Sequence, residues 1–155
     1  MNTSEFLAIS SAIVPDRPAT IFEGRRLSYA DLAARTDRLA NALAGLGVGP
    51  GARVAVLQVN CAEQVEAYFA TAKLDAVFVP LNYRARADEL AHVLNDSAPT
   101  VLLVGGRYVE LVRSVADRVE SVPHLVALEQ PVEGWPGYEE IVARSPEEER
   151  FPAGD

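Results

Sequence analysis

The spacing of apolar residues divides the chain into short helices and strands. Phe6, Ile9 and Ile13 recur at helical intervals, and Pro15 and Pro18 end that run, which predicts a first helix over residues 5–13. Ala19–Phe22 and Leu27–Tyr29 read as two short strands around the turn Glu23-Gly24-Arg25-Arg26, with Gly24 supplying the bend and Ser28 or Tyr29 closing the second strand. Ser28 with Asp31 is a capping arrangement, and Leu32, Thr36, Leu39, Leu43 and Leu46 share one face of the helix it opens. The glycine-rich run 45–51 stops that helix at Gly47 or Gly49.

From Arg53 onward the pattern repeats. The apolar runs Val54–Leu57, Val77–Val79, Val101–Val104 and Leu125–Leu128 recur every ~24 residues, as alternating strand and helix units require. Val65, Tyr68, Phe69 and Ala72 mark the first intervening helix, and Leu90, Val93 and Leu94 the second. Tyr108, Leu111, Val112, Val115 and Val119 predict a third. Short, unbroken, β-branched strands belong to a parallel sheet covered on both faces. The expected fold is therefore α/β, an open and mainly parallel sheet with helices on both faces and right-handed crossovers. A small antiparallel strand pair lies near residues 19–29. Residues 1–128 form the expected α/β subdomain, and 129–155 a turn-rich acidic tail with one short helix over 138–143 and a linker-like end.

Composition narrows the functional classes. A chain of 155 residues, 49% hydrophobic and 23% charged, suits one globular domain. A net charge of −8 argues against a nucleic-acid partner or an anionic membrane surface. No positively charged leader precedes residue 6, and no apolar run approaches the ~20 residues that span a bilayer. Cys61 is the single cysteine, which leaves no intrachain disulfide and fits a reducing, cytoplasmic location.

Few residues present themselves as catalytic. His92 and His124 have no partner at a fixed spacing, so packing or surface roles are expected of both. The run 45–51 follows a helix and opens a strand, the reverse of a phosphate-binding glycine loop. Asn60 and Glu63 are candidate caps for the helix after Cys61, which would set the thiol at the positive end of a helix dipole and lower its pKa. A structural role for Cys61 is the alternative. Gly105-Gly106-Arg107 follows a strand and precedes a helix, where a ligand anion or a plain turn both fit.

The order of several segments carries more than any one of them. Leu27-Ser28-Tyr29-Ala30-Asp31-Leu32 resembles the first core motif of the AMP-forming acyl-CoA synthetases, the acyl-adenylating ligases. Ala72-Lys73-Leu74-Asp75-Ala76-Val77-Phe78-Val79-Pro80-Leu81-Asn82 resembles the second. The strand 51–57, Asn60 and the run Glu89–Ser97 continue the likeness, which covers most of residues 5–128. Asp75 stands where the family usually has glycine, at a left-handed helix end that Asp tolerates better than most residues.

The resemblance implies an acid-thiol ligase. It activates a carboxylic acid, a fatty acid in the first instance, with ATP and Mg²⁺ to an acyl-adenylate, and then passes the acyl group to coenzyme A. Aromatic and amino acids remain open as substrates. The family's phosphate loop, Thr-Glu pair, ribose-binding Asp and C-terminal Lys have no counterpart in residues 1–155, so the likeness implies the N-terminal portion of such an enzyme, inactive alone and binding none of these ligands tightly. In some relatives an Arg just after Pro-Leu-Asn pairs with the 3′-phosphate of coenzyme A, and here that position is Arg84. The alternative for Arg84 is a surface role or a bridge to Asp88, and Arg86 is a neighbouring candidate. A scaffold or dimerisation module derived from the family is a second reading, since apolar surface left open by absent domains favours self-association.

Overall fold

The computed structural model describes residues 2–120 and 122–152. Helix α1 (Thr3–Ile13) opens with a reciprocal cap between Asn2 and Glu5. Strands β1 (Pro18–Phe22) and β2 (Arg25–Ser28) form an antiparallel hairpin. Its turn is the two residues Glu23 and Gly24, both with positive φ, at 48° and 79°. Such a turn follows the natural twist of a hairpin, so Arg25 and Arg26 join the strand instead of the loop expected for them.

Ser28 caps α2 (Tyr29–Gly45), exchanging hydrogen bonds with Asp31 as the sequence predicts. Of the two residues expected to close the strand, Ser28 does so and Tyr29 begins the helix. After the turn at Gly47, with φ 88°, the chain alternates strand and helix: β3 (Arg53–Leu57), α3 (Ala62–Lys73), β4 (Val77–Pro80), α4 (Ala87–Ser97) and β5 (Val101–Val104). The helix expected over 108–119 is broken. A 3₁₀ turn (Gly106–Tyr108), α5 (Val109–Ser114) and a second 3₁₀ turn (Ala116–Arg118) replace it, before β6 (His124–Ala127) and α6 (Tyr138–Arg144).

The main sheet is parallel throughout, in the order β4-β3-β5-β6. Alternate residues of its strands feed two cores. Val54, Val56, Val101, Leu103 and Val126 meet α2, α3 and α6, while Ala55, Leu57, Leu102 and Val104 meet α4 and α5. Helices on both faces explain why the central strands read as unbroken apolar runs. Helix α1 packs on α2 and α3. Its outer side keeps Phe6, Ile9 and Ile13 exposed at 55%, 50% and 72%.

The acidic segment after β6 is docked on this body. Tyr138, Ile141 and Val142 of α6 enter the core beside α2. Beyond α6, Arg38 donates to the Ser145 carbonyl at 2.9 Å, and Asn41 to the carbonyls of Pro146 and Glu148 at 3.0 and 2.8 Å. Lys73, only 5% exposed, pairs with Asp37 at 2.7 Å and lies 3.9 Å from Glu149. Among the described residues, no helix is long and apolar enough to cross a membrane.

Candidate functional site

Strand order decides where a ligand can sit. The connection leaving β3 runs to β4 on one side, and the connection leaving β5 runs to β6 on the other. The loops at the carboxyl ends of β3 and β5 therefore part, and open α/β sheets bind ligands in such a crevice. Here the loops enclose a cavity of about 300 Å³, walled by the β1–β2 hairpin and the start of α3.

Its floor is a polar clamp. Gln58, the first residue after β3, is buried, and its Nε2 donates to Glu129 Oε1 at 2.7 Å. The Gly106 N–H donates to Glu129 Oε2 at 2.8 Å. A side chain at position 105 would press on the Gln58 amide, which would have to move. Gly105 thus lets Gln58 approach closely, while a Cβ at Gly106 would lie 3.0 Å from Glu129 Oε2. The backbone donor at Gly106 is already filled by a carboxylate of the chain itself. Neither Gln58 nor Glu129 stands out in the sequence; their one signal is their position just past strand ends.

Cys61 lines the same cavity and is the N-cap residue of α3. The lowered thiol pKa expected from the helix end is not found. Burial pushes the Cys61 thiol up to about 12, Glu63 adds to the rise, and the backbone hydrogen bond from Gln64 offsets only part of it. A half-buried thiol loses more by desolvation than one helix turn returns. Arg107 stands exposed at the rim, while Arg25 lies 3.8 Å from Glu63.

Arg84 sits on the loop after β4, at the same edge of the sheet. It is exposed, its guanidinium lies 5.3 Å from the Tyr83 ring centre, and its backbone N–H donates to Asn82 Oδ1 at 3.0 Å. The bridge to Asp88 is not made, since Arg118 takes Asp88 at 2.8 Å. Arg86 precedes α4, where its N–H donates to Glu89 Oε2 at 3.1 Å. His92 is exposed on α4, and His124 begins β6 at the opposite end of the sheet from the crevice. Asp75 adopts the left-handed conformation expected there, with φ 51°.

A second polar cluster ties three helices together. Arg35 of α2 grips Glu66 of α3 at 2.7 Å and Glu139 of α6 at 2.6 Å. Glu66 is fully buried and also accepts from the Tyr138 hydroxyl at 2.6 Å. Both of its oxygens are satisfied by side chains, so the cluster is a structural joint.

Comparison with known proteins fits this architecture. The chain is 39% identical over 145 residues to the indoleacetate–CoA ligase of Aromatoleum aromaticum, covering 94% of the chain and 28% of that protein. It is 35% identical over 131 residues to the long-chain-fatty-acid–CoA ligase of Thermus thermophilus, covering 84% of the chain and 24% of that protein. Among solved structures, an anthranilate CoA ligase, AuaEII, in complex with anthranoyl-AMP superposes with a TM-score of 0.93 at 25% identity, over 97% of the chain and 29% of that structure. A Mycobacterium tuberculosis fatty acyl CoA synthetase superposes with a TM-score of 0.87 at 27% identity, over 99% and 30%. The fold is that of the N-terminal region of adenylate-forming enzymes. The chain belongs to the AMP-binding enzyme family, whose model matches residues 8–153. It spans 28% or less of the length of these two curated relatives.

Proposed function

We propose that these residues form the N-terminal lobe of an AMP-forming acid–CoA ligase. That enzyme joins a carboxylic acid to AMP at the expense of ATP and releases pyrophosphate. The thiol of coenzyme A then displaces AMP to give the thioester. The observation that carries the reading is the family match over residues 8–153, on a chain whose parallel sheet runs in the order β4-β3-β5-β6. The relatives are named for acids as different as indoleacetate and long-chain fatty acids, so the shared chemistry is the carboxylate. A fatty acid is taken as the first substrate to test.

Residues 1–155 alone are proposed to be inactive, because phosphate charge developing in adenylation requires donors and a cation that this sequence does not bring together. Purified chain should catalyse no acid-dependent exchange of labelled pyrophosphate into ATP. Grafted in place of the matching segment of the Thermus thermophilus ligase, it should support thioester formation. A folded graft that binds ATP yet forms no adenylate with fatty or arylacetic acids would overturn the assignment.

Arg84 is proposed to contact the 3′-phosphate of coenzyme A. An exposed guanidinium on a strand-exit loop, set against the Tyr83 ring, remains able to form paired hydrogen bonds with phosphate. In the graft, Arg84→Ala should raise the KM for coenzyme A about tenfold and leave that for dephospho-coenzyme A unchanged. Equal effects on both would refute the contact. The bare outer face of α1 favours a second reading, a self-associating scaffold, which sedimentation of the chain at rising concentration tests directly.

A further inference from the structure

A second cavity, of about 260 Å³, lies among α4, α5, the 3₁₀ turn after α5 and β6, on the sheet face that α4 and α5 cover. Its inner wall is core: Leu94, Leu102, Val112 and Val115 line it, each 5% exposed or less. Its rim is apolar as well. Val119, Val122, Leu125 and Trp135 line it half-buried and pack against the same core. Both sides of that rim are tied down. On one side Asn95 Nδ2 donates to the Arg118 carbonyl at 2.9 Å and its Oδ1 accepts the Glu120 N–H at 2.9 Å, while Arg118 pairs with Asp88 at 2.8 Å. These three contacts staple the 3₁₀ turn to α4. On the other side the Ala127 N–H donates to the Pro136 carbonyl and the Trp135 N–H to the Val132 carbonyl, both at 3.0 Å, which fixes the Trp135 turn beside β6. Arg113 is the one charged residue among the described residues that line the cavity, and its guanidinium pairs with Glu110 at 2.8 Å and lies 6.0 Å from the Trp135 ring centre. Between the two fixed sides stands Ala116, whose single methyl fills little of the space.

We propose that this cavity binds a small, uncharged aromatic molecule of one or two rings. A space of about 150 Å³ among leucine and isoleucine side chains is enough for one benzene-sized ring. A ring seated here covers the apolar surface that Val119, Val122, Leu125 and Trp135 still turn to water, and the Trp135 indole adds contacts between rings. A charged ligand loses its hydration against four core side chains. The guanidinium that could answer an anion already faces Glu110. Because the rim is stapled before any ligand arrives, binding orders little of the chain. It needs neither ATP nor coenzyme A.

Trp135 is the chain's only tryptophan, so its emission reports on this cavity. Toluene titrated into the 155-residue chain should change that emission saturably, with a dissociation constant on the order of 1 mM, and should shift the amides of residues 112–119 and 132–135. Benzoate and benzylamine, the same ring with one charge of either sign, should bind about tenfold more weakly. Ala116→Phe places a ring of the protein's own in the space and should weaken toluene tenfold or more. Val122→Phe, which fills the space from the stretch before β6, should do the same. Amide spectra unchanged outside these segments would show that both variants keep the fold. Emission that does not saturate, shifts that map elsewhere, a charged analogue that binds as well as toluene, or folded variants that bind like the parent chain would overturn the proposal. Emission that varies with chain concentration in the absence of toluene would assign the cavity to a second copy of the chain and overturn it equally.

Discussion

Tyr138 donates its hydroxyl to Glu66 Oε2 at 2.6 Å, and this bond fastens α6 to a carboxylate with no exposed surface. Burial and the Glu66 charge together hold the Tyr138 phenol well above its ordinary pKa, so it stays a donor across the working pH range. Tyr138→Phe should cost about 1–3 kcal/mol, the penalty of leaving a buried acceptor short of a partner. Arg35→Met should cost more, about 3–5 kcal/mol, because it strands the Glu66 charge in the core. Urea unfolding of the two variants measures both, and the order of the two effects is the decisive result.

Acid sensitivity follows from the same joint. The Arg35 hydrogen bond holds Glu139 below its usual 4.5. A carboxylate with a depressed folded-state pKa stabilises the fold fully above its unfolded value, and that contribution is lost as pH falls through the folded value. Asp37 acts in the opposite sense. Burial outweighs Lys73 and raises Asp37 above 3.8, so its contribution improves as pH falls. Glu139→Gln should therefore flatten the loss of stability between about pH 5 and about pH 3, measured by denaturant midpoints at each pH. An unchanged slope would show that Glu139 does not titrate with folding.

Cys61 should be inert while the chain is folded. With its thiol pushed up to about 12, little thiolate exists at neutral pH. Labelling with a disulfide reagent at pH 8 should be about a hundredfold slower or more for the folded chain than for the urea-unfolded one. Comparable rates would place the thiol in a different environment.

Gly105 is constrained by its neighbour. Gly105→Ala forces the new methyl against the Gln58 amide and should cost about 1–3 kcal/mol. Gln58→Ala in the same chain should recover part of that cost, since the obstructing group is gone. A double-mutant cycle with no coupling would mean that the clamp yields freely.

Much of the fold was legible because local and long-range preferences agreed. The Ser28 cap, the four apolar runs and the left-handed Asp75 each depend on residues close in sequence. The break between α5 and the 3₁₀ turns was not legible, because Val112, Val115 and Val119 fit a helical stripe even when the backbone between them tightens. The turn at Glu23 escaped for a related reason: its neighbour Gly24 announces a bend but not its length. In the crevice, Gln58 and Glu129 are 71 residues apart, and only the parallel order of β3, β5 and β6 brings them together. The Cys61 thiol shows the limit from the other side. Helix position is visible in sequence, whereas desolvation depends on what packs around it.

Lys73 is the chain's only lysine, and it lies under the segment that follows α6. The cationic side chains on the outer surface are therefore arginines, which keep their charge throughout the pH range in which proteins stay folded. A reagent or enzyme that seeks a lysine amine meets none until residues 145–152 lift from α2. Acylation of Lys73 would thus report on the docking of that segment, turning one buried ammonium into a clock for its opening.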